Sequence, residues 1–366
     1  MARRISMYGE DRMEEAHMST RRHIRLAMVM VLLFSAVVFY GCMPEWLRTT
    51  VAPPDNNDPP RRGVFVPPAL PVVQYTEVRQ RVLWVLDHTG TYVVPFVLTV
   101  PRVEGMAREA VNRLVASPEN ARFMGQSGLK LPLPEGTTVR GLTIRDGLAT
   151  VDLSEQFLQY NVAKEKLVVD SLVLTLTEFD NIERVQLHVG GRILARLPGG
   201  TAVREPLKRR DRLVNEENNK ARSPTTVPVT LYFSSVSPDE YVYFVPVTRH
   251  IPKTNDMLLA TVNELIRGPL AGTSLLRDMP SAAVVRSLRL NALGVAEVDF
   301  SREIYDYGQG IVAETALIGS LVLTLTEHEG VKGVRITVEG QVPRFRAGTD
   351  ARRPVMRPVF VNPFIL

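Results

Sequence analysis

The chain repeats itself, and that repeat constrains its fold more than any other feature. Tyr92-Val93-Val94-Pro95 with Pro101 matches Tyr243-Phe244-Val245-Pro246 with Pro252. Met106, Val111, Asn112, Leu114 and Pro118 return as Met257, Val262, Asn263, Leu265 and Pro269, and both blocks keep a register of 151 residues. Gly147-Leu-Ala-Thr-Val-Asp152-Leu-Ser154 returns as Gly294-Val-Ala-Glu-Val-Asp299-Phe-Ser301, and Ser171–Glu178 (SLVLTLTE) is identical to Ser320–Glu327. Four blocks in one order at near-constant spacing mark a duplicated structural unit.

Each copy reads the same way. Arg81–Leu86 and Val93–Val100, with Val227–Phe233 and Tyr241–Val247 in copy two, are rich in Val, Tyr and Phe and predict strands. A helix is expected over Gly105–Ser117, with Met106, Ala110, Val111, Leu114 and Val115 on its apolar face and Pro118 ending it. Thr138–Ile144 and Ala149–Leu153 form a hairpin across Arg145-Asp146-Gly147. SLVLTLTE alternates like a strand, but the apolar stretch from Val162 to Phe179 is too long for one and predicts a buried helix. Leu172, Leu174 and Leu176, with Leu321, Leu323 and Leu325, are then core residues. A last strand, Arg184–Val189 or Gly333–Val338, completes a β-β-α-β-β-α-β unit. The expected class is α+β: two tandem two-layer domains, each with both helices on one face of a mostly antiparallel sheet.

The rest of the chain is leader, spacer, linker and tail. Leu26–Gly41 carries no charge, follows Arg21, Arg22 and Arg25, and precedes Cys42, the single cysteine. This is the layout of a secretory signal. Gly41-Cys42 resembles the end of a bacterial lipobox, which makes Cys42 the lipidation site; an uncleaved signal anchor is the alternative. Met18 begins a cleaner signal than Met1, so residues 1–17 read as an over-extended start. The expected division is 1–42 leader, 43–75 Pro-rich extended spacer, 76–203 domain 1, 204–226 basic linker, 227–342 domain 2, and 343–366 an Arg/Pro-rich tail with an apolar end. Such a protein sits on the extracytoplasmic face of a bacterial cell membrane, held by its N-terminal lipid or signal anchor.

Chemistry is sparse. A net charge of +5 on 366 residues is mild and argues against a nucleic-acid binder. One cysteine rules out an internal disulfide, the six histidines make no ligand-spaced pair, and no phosphate-cradling glycine loop occurs, so no metal or cofactor is expected. The repeated acids Asp152/Asp299 and Glu178/Glu327 are the best acid–base candidates. Asp-x-Ser at a strand end is also an ordinary turn cap, and Ser154 and Ser301 recur without a histidine to activate them. A structural role is expected for all six. Lys208-Arg209-Arg210-Asp211-Arg212 is a polybasic run suited to anionic lipid or wall polymers, although a solvated linker is its commoner role.

Three motifs together resemble the GerM family of sporulation and germination proteins. They are the helix ending in Leu265-Ile266-Arg267-Gly268-Pro269, the hairpin ending in VDLS or VDFS, and Leu-Thr-Leu-Thr-Glu followed by a strand and Gly. The resemblance covers roughly residues 76–342. Copy one departs from the family with Ala116-Ser117-Pro118, where Arg/Gly-Pro is frequent. The resemblance implies a non-enzymatic scaffold that supports assembly of an envelope complex, through domains similar to ring-building motifs. It implies envelope proteins, including sporulation channel components, as partners, with self-association through sheet edges. The competing function is a protein that binds or hydrolyses cell-wall glycan or peptide.

Overall fold

The computed structural model describes residues 78–101, 105–217 and 221–363. The leader, including Cys42, and the Pro-rich spacer lie outside the described residues. In copy one, β1 (Val78–Leu86) and β2 (Val93–Pro101) pair as an antiparallel hairpin. Helix α1 (Met106–Arg113) buries Ala107, Ala110 and Val111. The helix ends at Arg113, short of the expected Ser117, because Val115 leaves it to bridge Leu133. Pro118 instead opens a second short helix, α2 (Pro118–Met124), where Ser117 Oγ accepts the Asn120 amide as an N-cap with proline in the first turn.

Strands β3 (Val139–Arg145) and β4 (Leu148–Leu153) form the expected hairpin. Asp146 and Gly147 take φ of 47° and 73°, the left-handed pair a two-residue turn requires. Helix α3 (Glu165–Leu176) then crosses over to β5 (Arg184–Val189), and β6 (Leu207–Lys208) adds a short edge. Copy two repeats the order. It has β7 (Thr226–Val236), β8 (Val242–Pro252), α4 (Met257–Arg267), β9 (Val285–Leu290) and β10 (Val295–Phe300). It ends with α5 (Gly310–Leu325), β11 (Gly333–Val338) and β12 (Val355–Met356).

The class is α+β, mostly antiparallel, but the strands of a copy do not share one sheet. They divide into the two-stranded hairpin and a four-stranded sheet of order β3-β4-β5-β6, or β9-β10-β11-β12. The β4–β5 and β10–β11 pairs are parallel, since a helix that crosses back over the sheet returns the chain in its original direction. Alternate residues of β4 and β5 (Ala149, Val151 and Leu153; Val185, Leu187 and Val189) are buried. On that face α1 packs by β3 and α3 by β5, while the β1–β2 hairpin lies against α3.

SLVLTLTE is helical in both copies. Residues 168–176 are buried without a break, as for a helix enclosed on all sides. Leu172, Leu174, Leu176, Leu321, Leu323 and Leu325 are each at most 1% exposed. The helix is so apolar because it lies between hairpin and sheet. Its threonines are not a contradiction: Thr175 Oγ1 accepts the Trp84 amide and Thr324 Oγ1 the Tyr232 amide, both at 2.9 Å. One apolar core runs through both copies.

Candidate functional site

The duplicated acids occupy two different ends of each copy. Asp152 Oδ1 accepts the Gly191 amide, and Asp299 Oδ1 the Gly340 amide, both at 2.8 Å. Ser154 Oγ accepts the Thr138 amide and Ser301 Oγ the Val284 amide. These four residues fasten the ends of β4 and β10 to neighbouring turns. Glu178 follows the C-terminal end of α3, which runs back to the start of β5. Leu148 pairs with Arg184 there, whereas Asp152 pairs with His188 at the far end. Four strand residues, roughly 13 Å, separate the two levels. Asp152 and Glu178 therefore do not make an acid–base pair.

What the fold brings together instead is Glu178 with Glu327. Glu178 Oε1 accepts the Trp84 indole N–H at 2.9 Å and Arg209 Nη1 at 2.7 Å. Glu327 Oε1 accepts the Tyr232 hydroxyl at 2.9 Å and Arg357 Nη2 at 2.6 Å. Each guanidinium also lies over its aromatic ring, 5.3 Å from Trp84 and 5.7 Å from Tyr232. Arg209 and Arg357 further donate to Leu174 O and Leu323 O, carbonyls in the last turns of α3 and α5, where a cation is favoured. Both triads line a cleft of about 420 Å³ between the copies, together with Pro95, Pro246 and Val359.

Electrostatics lock the cleft rather than prime it. Burial, reinforced by the Glu327 charge, pushes the Tyr232 phenol well above its ordinary value. Burial alone would lower Arg357, but Tyr232 and Glu327 outweigh it and hold the guanidinium above its usual value. A proton shuttle needs a group poised near neutral pH, and these shifts run away from it. Among the described residues no group of His, Cys, Asp and Glu is placed to hold a metal.

Two asparagines tie the copies together beside this cleft. Asn215 Oδ1 accepts the Val93 amide, and its Nδ2 donates to Val93 O and Pro246 O, all at 2.7 Å. Asn362 Oδ1 accepts the Phe244 amide at 2.7 Å, and its Nδ2 donates to Pro95 O and Phe244 O at 2.8 Å. Val93 and Phe244, like Pro95 and Pro246, are repeat equivalents, so one clamp is the two-fold image of the other. Both asparagines take positive φ, 48° and 56°, a conformation Asn tolerates better than most residues.

A second pair of acids escaped the sequence reading. Glu165 and Glu314 are 2% and 1% exposed. Glu165 accepts the Tyr160 hydroxyl and the Gly199 and Thr201 amides. Glu314 accepts the Tyr307 hydroxyl, the Ala347 and Thr349 amides and Thr349 Oγ1. Burial raises both carboxyls, but the converging donors win and each sits below its ordinary value. The signal was present: Gly200-Thr201-x-x-Arg204-x-Pro206 recurs as Gly348-Thr349-x-x-Arg352-x-Pro354. Arg209/Arg357 and Asn215/Asn362 continue that block. Segments read as linker and tail are thus equivalent parts of the duplication, and Arg209 and Arg212 are bonded rather than solvated.

The profile of the family described as "Germane: Sporulation and spore germination" matches residues 82–195 and again 230–343. The chain belongs to the Germane family. It is 32% identical over 294 residues to the spore germination protein GerM of Bacillus subtilis (strain 168), across 79% of this chain and 80% of that one. The solved tandem GerMN domains of the sporulation protein GerM from Bacillus subtilis are 32% identical. They superpose with a TM-score of 0.66, covering 78% of this chain and 99% of theirs. The first GerMN domain of the same protein is 34% identical and covers 36% of this chain and 99% of that one, with a TM-score of 0.34. The cleft therefore lies between the two GerMN-like domains of a Germane chain, and its two triads occupy equivalent positions of the duplicated unit, with Trp84 in one and Tyr232 in the other.

Proposed function

We propose that this Germane protein is a non-catalytic scaffold, tethered at the extracytoplasmic membrane face through Cys42 or an uncleaved leader, that supports assembly of an envelope complex in sporulation or germination. The observation that carries this reading is where the duplicated polar groups go. Asp152/Asp299, Ser154/Ser301, Glu165/Glu314 and Glu178/Glu327 each hold a backbone, an aromatic or an arginine of their own copy. Among the described residues duplication has preserved a frame, and each of these repeated polar groups is engaged within its own copy.

What the frame offers a partner is sheet edge. Strands β3 and β9 are outermost in their sheets, and a long antiparallel edge is a template for another chain. Tethering raises effective concentration, so contacts weak in solution suffice at a membrane. Among the described residues no helix is long and apolar enough to cross a membrane; the proposed tether is the charge-free leader segment that precedes Cys42.

The test is crosslinking in the native envelope. Arg145→Glu with Leu290→Glu, on the two open edges, should abolish partner capture while thermal melting is unchanged. The reading is overturned if Asp299→Asn or Glu327→Gln removes a measurable peptidoglycan-hydrolysing activity from folded protein. For the tether, Cys42→Ala should remove palmitate-analogue label; equal label in both proteins would leave the signal anchor.

A further inference from the structure

The duplication supplies an internal control for surface charge. Where the two copies share a backbone and differ in charge, the fold itself does not require the charge. The clearest case is the short edge of each four-stranded sheet. In copy one Arg184 of β5 pairs directly with Lys208 of β6, and Arg209 and Arg210 follow. In copy two the equivalent pair is Gly333 with Met356, uncharged on both sides. Like charges directly opposite each other on a sheet are destabilising, yet copy one keeps them.

Apart from Arg209, which is paired with Glu178, these cations are also poorly neutralised. Among the described residues neither Arg184 nor Lys208 pairs with a carboxylate. Arg184 Nη2 donates to Asp146 O, and its buried Nε has no acceptor. Arg210 is 78% exposed and reaches only Asp211, at 3.8 Å. Arg184, Lys208, Arg209 and Arg210, with Glu183 the lone acid, line a groove of about 700 Å³. Arg209 and Arg210 also line the cleft between the copies, so these two arginines carry the lane of cations from groove to cleft.

We infer that this lane is a binding site for a linear polyanion of repeating phosphates, such as a wall or envelope polymer, held by Arg184, Lys208 and Arg210 and guided by Arg209. Arginine forks recognise phosphate oxygens with two parallel bonds, and lysine adds a point charge. A chain fits better than a flat surface because the cations line a concavity. It fits better than one free phosphate because four cations follow one another into a second cleft.

The test uses the full chain in zwitterionic micelles and a fluorescent short linear polyphosphate, with binding read by polarisation across a salt series. Wild type should bind, and log affinity should fall linearly with log salt. Lys208→Met with Arg210→Gln should weaken binding at least about tenfold and flatten that slope by about 1.4, the value for two lost phosphate contacts on a single-strand-like polyanion. Arg344→Gln with Arg353→Gln removes the same net charge from exposed sites in copy two and should leave affinity within about twofold. A melting curve for each variant separates lost binding from lost fold. The inference is overturned if the two double variants weaken binding equally or if Lys208→Met with Arg210→Gln binds like wild type. It is also overturned if wild type ignores polyphosphate and sediments only with anionic phospholipid vesicles.

Discussion

Copy one and copy two solve the same packing problem with different chemistry. After the first hairpin strand, the next unpaired amide must be satisfied inside the core. In copy one the amide of Leu86 donates to Lys130 O, and Lys130 N donates back to Leu86 O, both at 2.9 Å. In copy two the equivalent Ser234 donates its amide at 2.7 Å, and its hydroxyl, to the carboxylate of Asp278. Ser320 Oγ donates to the same carboxylate, while its twin Ser171 Oγ is buried without a partner. A similar exchange occurs where the following segment docks on the long helix. Asp170 of copy one holds Lys166 and Arg212, whereas copy two has Gly319, against which the Phe244 ring packs so closely that a Cβ would come within 2.3 Å. What stays identical is the set of residues that bond to backbone: Thr175/Thr324, Asp152/Asp299, Glu165/Glu314 and Asn215/Asn362. The frame is invariant where a side chain replaces a missing backbone partner, and variable where several chemistries fill the same space.

The strongest way to break this comparison is through the buried glutamates. Glu165→Ala and Glu314→Ala should each cost roughly 3–5 kcal/mol, because each strands several buried donors. Denaturant unfolding measures it. Unequal losses in the two copies would mean that the glutamates are not equivalent. The same groups predict a pH dependence. Both folded carboxyls lie below their ordinary value, so their stabilisation is complete above the unfolded glutamate range and is lost as pH falls through the folded value. Asp278 runs the other way. Burial raises it despite the Ser234 and Ser320 donors, so its contribution is largest in acid and declines as pH rises through its folded value. Hydrogen exchange at falling pH should therefore show copy one loosening before copy two.

Next in size are the helix leucines. Leu174→Ala and Leu323→Ala should each cost about 2–5 kcal/mol, since both sites are enclosed by hairpin and sheet. An unchanged melting midpoint for either would place that helix face at a surface. Smaller still, Asn215→Ala and Asn362→Ala each remove three hydrogen bonds, one of them reaching the other copy, and should cost about 1–3 kcal/mol. Faster exchange confined to β2 and β8 would mark the loss as one of docking. Exchange spread evenly through one copy would instead make the asparagine part of that copy's own fold.

Much of this frame was legible from residues. The Asp146-Gly147 turn, the buried helix in SLVLTLTE and the six core leucines follow from local pattern and length. The parallel β4–β5 pairing was less visible, because strand direction depends on the crossover and not on the strands' own residues. Strands β6 and β12, two residues each, carry no period. Of the cleft, repetition exposed Glu178 and Glu327, but their partners Arg209 and Arg357 lay in segments whose composition suggested solvent. Asn215 and Asn362 are single polar residues in such segments, and nothing local distinguishes a clamp from a loop asparagine. Glu165 and Glu314 carry no local sign of burial, because the amides that bind them come from more than thirty residues away.

The sharpest test is also the smallest effect. Ser171 and Ser320 are the same residue at the same position of an identical octapeptide, and both are fully buried. Their hydrogen bonding differs: Ser320 donates to Asp278, and Ser171 has no such acceptor. Removing the Ser320 hydroxyl leaves a buried carboxylate short of a donor, so Ser320→Ala should cost about 1–2 kcal/mol. Removing the Ser171 hydroxyl deletes a polar group that gains no bond in the folded state, so Ser171→Ala should be neutral or stabilise by up to about 1 kcal/mol. The sign of the difference does not depend on helix propensity, because alanine is favoured over serine equally in both helices. Chemical denaturation of the two variants side by side decides the matter. Equal losses would mean that Ser171 has an acceptor after all, and that the copies handle the amide after the first strand in the same way. A loss only at Ser320 would make the Asp278 hub an addition of copy two, built on a serine that copy one carries without using.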